Sequence, residues 1–476
     1  MPLPPRGEAS LAPTITTVVD AFSSATEMLR ALQMRQISPS ELVELHLERI
    51  ARFNPDLNAI VTDNGEDARA RAREERSGAL GGLPVTIKDS IDLAGLPTTS
   101  GDPARRNAIA EADSPLAARV RAAGALVLGK TNVPLLTGDW QTNNAVFGRT
   151  LNPWDRTRTP GGSTGGGAAA VAAGLSPLEF GSDIGGSIRV PAAFCGIFGH
   201  KPSEGLVPPI GHFPTATVMA VLGPLARSAA DLQLALDVVK ERQLPPARAK
   251  SLRELRVAVL PWLNWLPVDV EIQAAVEELA RCLPRCRTAQ PAGYVAWAQE
   301  ELFASMLAAV TFGEVGEARE GIAGSISKAP EPLGPAILRG LRAGPAEFDQ
   351  LLAEREQARA RWQAFFQDFD VLLTPVTLVN AFPHQDGPFL RRTIEVNGEP
   401  QPYKRLEVYP GLAALTGLPA TAIPAGLSED GLPIGIQAVG PLFEDLTPLT
   451  FAALVEEELG YTFQPPPTYS GVTSIA

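Results

Sequence analysis

Cysteine is scarce in this chain. Its 476 residues hold three, Cys195, Cys282 and Cys286. An odd, low count excludes a disulfide framework. Cys282 and Cys286 have C-x3-C spacing, but no further Cys or His stands nearby to complete a zinc site. All three are expected to be small buried or half-buried thiols. Histidine is nearly as rare, with four residues: His46, His200, His212 and His384. Positive charge is also short. Lys and Arg total 41 against 53 Asp and Glu, a formal charge of −12. Without a basic run, that balance argues against a nucleic-acid partner. No stretch of 18 apolar residues exists. The best candidate, Phe213 to Ala226, is broken by Pro and Gly, which argues against a membrane span. Met1 to Pro13 is Pro-rich and lacks the apolar centre of a secretory signal. A soluble, cytoplasmic protein is expected.

What remains is ordinary globular material, 45% hydrophobic and 20% charged. Length alone suggests two or three domains. No low-complexity linker or internal repeat divides the chain, so one domain over 1–476 is expected. Residues 1–17 read as a loose arm and 18–80 as helical. Ser38-Pro39-Ser40-Glu41 carries an N-cap, a first-turn Pro and a capping-box Glu. From 81 to 240, short apolar strands alternate with helices: 83–87 before Lys88, 125–128, and 178–180. Residues 290–366 read as a helical region, and 367–476 as strands followed by a helix, with Thr447 as its N-cap. Alternating helices and strands place the chain in the α/β class.

Four segments invite a chemical reading. Gly124-Ala-Leu-Val-Leu-Gly129-Lys130-Thr131 spells a phosphate loop. Its inner residues favour a buried strand, though, and a phosphate cradle must be a loop. Gly161-Gly-Ser163-Thr-Gly165 spells a nucleophile elbow. The turn-rich residues before it lack the strand that an elbow needs, which weakens a Ser-His-Asp hydrolase. The same glycines open a run of small residues, and Gly166 to Ala173 reads as a tightly packed helix. The last segment, Gly181-Ser-Asp-Ile-Gly-Gly-Ser187-Ile-Arg189, reads as a strand ending in Gly-Gly before a serine. Successive N–H groups in such a turn can converge on one point, as an oxyanion hole requires. A Gly-rich hairpin is the alternative.

These segments, with Lys88, resemble the amidase signature family. The resemblance runs from Gly82-Leu-Pro-Val-Thr-Ile-Lys88-Asp through Pro160-Gly-Gly-Ser163 to Ser187, 24 residues on, and then to Gly199-His-Lys-Pro202. Leu415-Thr-Gly-Leu-Pro419 and Leu432-Pro-Ile-Gly435 extend it. It implies a large mixed, twisted β-sheet flanked on both sides by helices, with a catalytic core over 81–240. It also implies Ser187 as nucleophile, Ser163 after a cis Gly162–Ser163 bond as proton relay, and Lys88 as neutral base. The N–H groups of Ile184, Gly185, Gly186 and Ser187 would form the oxyanion hole. Ser182 and Arg189 would orient the site, and Thr137 and Gly162 would meet substrate. No metal or cofactor is implied. Homodimers are common among such enzymes.

The chain departs from the family pattern at Thr164, Gly167 and the pair Leu135-Leu136, which leaves pocket shape open. Within this chemistry, a free-standing amidase competes with the glutaminase subunit of a tRNA-dependent amidotransferase. The Ser-Ala-Gly-Tyr-Tyr-Asp-Ala-type block of that subunit is missing from 280–370, which favours the free-standing enzyme. Phe303, Met306, Leu307 and Phe312 suggest an apolar cap over a pocket in 290–366. The texture also resembles urethane-cleaving members, so carbamates join small and aryl amides as candidate substrates. A catalytically inactive binding paralogue is the remaining alternative. The intact Lys88, Ser163 and Ser187 argue against it.

Overall fold

A computed structural model describes residues 19–74, 77–312, 318–327 and 332–470. The arm expected over 1–17 lies outside the described residues. Among those described, eleven strands form one mixed sheet. They are β1 (Ile60–Asp63), β2 (Pro84–Lys88), β3 (Leu126–Thr131), β4 (Leu178–Asp183), β5 (Phe198–Lys201) and β6 (Val221–Ala226). Next come β7 (Val257–Val259), β8 (Cys286–Thr288), β9 (Val371–Pro375), β10 (Ala420–Leu427) and β11 (Pro433–Val439). Their order across the sheet is β1-β3-β2-β4-β6-β5-β10-β11-β9-β7-β8. Strand β2 runs parallel to both β3 and β4, and β4 pairs antiparallel with β6.

Successive side chains of a strand point to opposite faces. Strand β9 uses that alternation to feed two cores. Val371 and Leu373 join one cluster with Leu29, Leu45, Leu232 and Val455. Leu372 joins another with Phe194, Trp362 and Leu412. Helices therefore cover both faces, as the resemblance implies. Each fully buried Leu contributes about 1.5–3 kcal/mol.

Local signals hold where nothing competes. Ser38 accepts the Glu41 N–H, Glu41 reaches back to the Ser38 N–H, and Pro39 opens the helix Pro39–Leu57. The last helix departs from expectation. It spans Leu446–Leu459 with Asp445, not Thr447, at the cap position. The Thr447 hydroxyl instead accepts the Arg248 N–H at 3.3 Å. The Asp445 carboxylate is committed to the N–H and hydroxyl of Ser203. Long-range partners thus override the local cap. The apolar stretch before Ala226 supplies the buried strand β6. Among the described residues, no helix is long and apolar enough to cross a membrane. Of the three free thiols, Cys195 is buried, Cys286 is half-buried and Cys282 is exposed, contrary to expectation for the last.

Candidate active site

Strands β2 and β4 are parallel neighbours, with Thr86 opposite Glu179 and Ile87 opposite Phe180. Their carboxyl ends, where α/β sheets usually hold ligands, bring Lys88 beside Ser182 and Asp183. Lys88 is fully buried. Its Nζ lies 2.7 Å from Ser163 Oγ and 2.9 Å from Ser182 Oγ. Burial lowers its pKa to about 7, although Glu179 and Asp183 pull the other way. Half the lysine population is then uncharged near neutrality, as a base must be.

Ser163 follows a cis Gly162–Ser163 peptide. Gly162 packs against main chain: a Cβ there would sit 2.4 Å from the Asp139 carbonyl oxygen. Next comes the helix Gly165–Ala172, whose eight residues are all buried. Gly167 in that helix faces Glu179, and an added Cβ would lie 2.4 Å from the carboxyl carbon. The space of a side chain at 167 thus belongs to Glu179. That carboxylate accepts from Thr131 Oγ1 at 2.7 Å, and burial pushes its pKa up to about 7.

Ser187 lies in the turn between β4 and the helix Arg189–Cys195. Its carbonyl accepts the Thr164 N–H at 3.1 Å, which joins the two serine segments. Asp183 shapes the turn. Its carboxylate accepts the N–H of Gly186 at 2.9 Å and of Ile188 at 3.1 Å. Arg189 grips the same carboxylate at 3.0 and 2.9 Å, and also donates to Gln437. Burial alone would raise the Asp183 pKa, but the Arg189 charge and these bonds hold it at about 2. Gly186 differs from its neighbours. Its N–H is bonded to Asp183, unlike those of Ile184, Gly185 and Ser187. Its φ of 106° suits glycine alone, and a Cβ would meet Pro410 at 2.8 Å. Among the described residues, the N–H groups of Ile184, Gly185 and Ser187 have no protein acceptor. They remain able to hold a developing oxyanion.

Three contributors escape a reading of the sequence. Trp140 donates from Nε1 to the Gly185 carbonyl at 3.2 Å and so braces the turn. His212 lies 2.9 Å from Ser182 Oγ. Glu179 is the third; the departure at Gly167 is the one available signal, pointing to a large group opposite. Thr137 sits on the one-turn helix Leu135–Thr137, half-exposed, with φ 56°. Among the described residues, no hydrogen bond joins it to Lys88, Ser163 or Ser187. Phe303 and Met306, expected to line an apolar cap, are instead fully buried. The half-buried Ile184, Val218 and Leu307 pack against the same apolar cluster. The Phe312 side chain lies outside the described residues. No group of His, Cys, Asp or Glu among the described residues is placed to hold a metal ion.

The rival motifs fare as expected. The phosphate-loop spelling falls on strand β3, with Lys130 buried and donating to the Pro97 carbonyl at 2.6 Å. The residues before Gly161 form no regular strand. Ser163 is bonded to a lysine, and among the described residues no hydrogen bond joins it to a histidine.

Comparison with known proteins agrees with this geometry. The family described as Amidase matches residues 41–449. A glutamyl-tRNA(Gln) amidotransferase subunit of Thermus thermophilus is 33% identical, covering 91% of this chain and 96% of its own. An indoleacetamide hydrolase of Bradyrhizobium diazoefficiens is 32% identical, over 92% of this chain and 86% of its own. Among solved structures, a bacterial aryl acylamidase of the amidase signature family superposes with a TM-score of 0.77 at 26% identity, covering 94% of this chain and 97% of its own. Fold and family together define an amide-bond hydrolase. The chain belongs to the amidase family.

Proposed function

We propose that this chain is a free-standing amidase that cleaves C–N bonds of small and aryl amides, and of carbamates, through an acyl-enzyme on Ser187. The observation that carries the proposal is the buried Lys88 amine, 2.7 Å from Ser163 and largely uncharged above pH 7. In this reading, neutral Lys88 takes the Ser163 proton while Ser163 takes the Ser187 proton. Ser187 Oγ then adds to the carbonyl carbon. The N–H groups of Ile184, Gly185 and Ser187 hold the resulting oxyanion, each worth about 2.7–4 kcal/mol of the barrier. Collapse of the adduct breaks the C–N bond, and the Lys88 proton returns through Ser163 to the leaving amine. Water then cleaves the ester by the same relay in reverse. Arg189 acts through Asp183 to hold the turn. The half-buried Ile184, next to Gly185 and packed with Val218 and Leu307 on an apolar cluster, favours an apolar or aryl substrate. The reading needs no cofactor, and it puts the enzyme in the cytoplasm, alone or as a homodimer, without nucleic-acid or membrane partners.

The test sets a 4-nitroanilide, an aryl carbamate and glutamine side by side. Turnover of the first two supports the proposal. Anilide turnover without carbamate turnover removes its carbamate half. A second reading, the glutaminase subunit, is favoured by the 33% identity to the Thermus amidotransferase component. Glutamine hydrolysis exceeding that of both aryl substrates would establish it instead.

A further inference from the structure

We propose that His212 is a positioning residue that keeps the Lys88 lone pair directed at Ser163 by fixing the direction of the Ser182 hydroxyl. The inference rests on the reading of Lys88 as base. His212 is buried in the loop before β6. That loop is stitched to the segment following Lys88: the Phe213 N–H donates to the Ser90 carbonyl and the Asp92 N–H to the Gly211 carbonyl, both at 2.8 Å.

Proton counting fixes the tautomer of the ring. His212 Nδ1 lies 2.9 Å from the Pro214 carbonyl, which can only accept, so Nδ1 carries the hydrogen. Nε2 of a neutral ring is then an acceptor. The ring stays neutral because burial, with Lys88 and Lys130 facing it, pushes its pKa down to about 4. The hydroxyls of Ser182 and Ser90 each lie 2.9 Å from Nε2 and share it. Ser182 Oγ also lies 2.9 Å from Lys88 Nζ. A neutral amine has two hydrogens and one lone pair. Were Ser182 to donate to Lys88, it would occupy the lone pair that Ser163 needs. With its hydrogen drawn to His212, Ser182 accepts from Lys88, and the lone pair is left for Ser163. The charged groups facing Lys88 itself are Glu179 and Asp183, both on β4.

The test is the pH profile of kcat/KM on a 4-nitroanilide. His212→Phe removes the acceptor. The plateau should fall about tenfold, the rate equivalent of one misdirected hydrogen bond. The acid limb should move to lower pH, because Ser182 now stabilises the neutral amine. His212→Gln can present an amide oxygen near the Nε2 position and should restore most of both. On a Ser182→Ala background, His212→Phe should cost nothing further. Should His212→Phe not fold, Gln is compared with Asn, whose amide is too short to reach the Nε2 position. Equal Gln and Asn profiles, a wild-type profile in His212→Phe, or an undiminished loss on the Ser182→Ala background would each overturn the proposal. Lys88→Ala separates the two failures. A limb that survives there overturns the base assignment; a limb lost there but unmoved in His212→Phe overturns only the role of His212.

Discussion

Lowering the pH from about 8 to about 6 should cut kcat/KM about tenfold. In the proposed mechanism Lys88 works as the free amine, and its pKa is held at about 7. About nine-tenths of the enzyme is then competent at pH 8 and about one-tenth at pH 6. At the ordinary value of 10.5, only about 0.03% would be competent at pH 7, so burial enlarges the supply of base about a thousandfold. The same depression has a stability cost of definite sign. Between about pH 7 and 10.5, the unfolded chain binds a proton at Lys88 that the folded chain does not. The fold therefore gains stability as pH rises through that window, and the full cost of the buried amine is felt below it. The assay is initial rates on an anilide at low substrate across the neutral range, with Lys88→Met run in parallel. An acid limb centred near 10, or one that persists in Lys88→Met, would refute the reasoning.

Two further perturbations probe the scaffold. Gly167→Ser should lower stability by about 1–3 kcal/mol, because the new Cβ and the Glu179 carboxyl claim one space; an unchanged urea midpoint would contradict this. Asp183→Asn leaves Arg189 buried without its counter-charge and should cost about 3–5 kcal/mol. In the wild type, the Asp183 contribution is present above the unfolded value of 3.8 and is lost as pH falls through about 2. The variant's acid-unfolding curve should lack that component. A wild-type curve would count against the Asp183–Arg189 pair as the brace of the turn.

The legible parts of this protein are those in which neighbours in sequence decide the outcome. The capping box at Ser38, the apolar runs before Lys88 and at Leu178, and the small-residue helix after Ser163 all carry local signals. They fold as those signals predict. The cis peptide and the meeting of Lys88 with Ser163, 75 positions apart, are legible through family resemblance alone. Periodicity says nothing about which strand lies beside which. Strand β6 escapes a sequence reading because a Pro- and Gly-broken apolar stretch has no clear period, and pairing with β4 and β5 supplies the missing order. The Gly186 N–H has two plausible acceptors in the sequence, and only the turn shows that it is bonded to Asp183. His212 and Trp140 leave no trace in the sequence at all. Trp140 meets Gly185 and His212 meets Ser182 and Ser90, all far away along the chain.

The proposed chemistry rests on Ser187 being the residue that takes the acyl group. An active-site serine probe such as a fluorophosphonate, followed by peptide mass spectrometry, tests this directly. The expected result is one label, on Ser187, that disappears in Ser187→Ala and slows in Lys88→Ala. A label on Ser163, or none on an enzyme that still turns over the anilide, would contradict it.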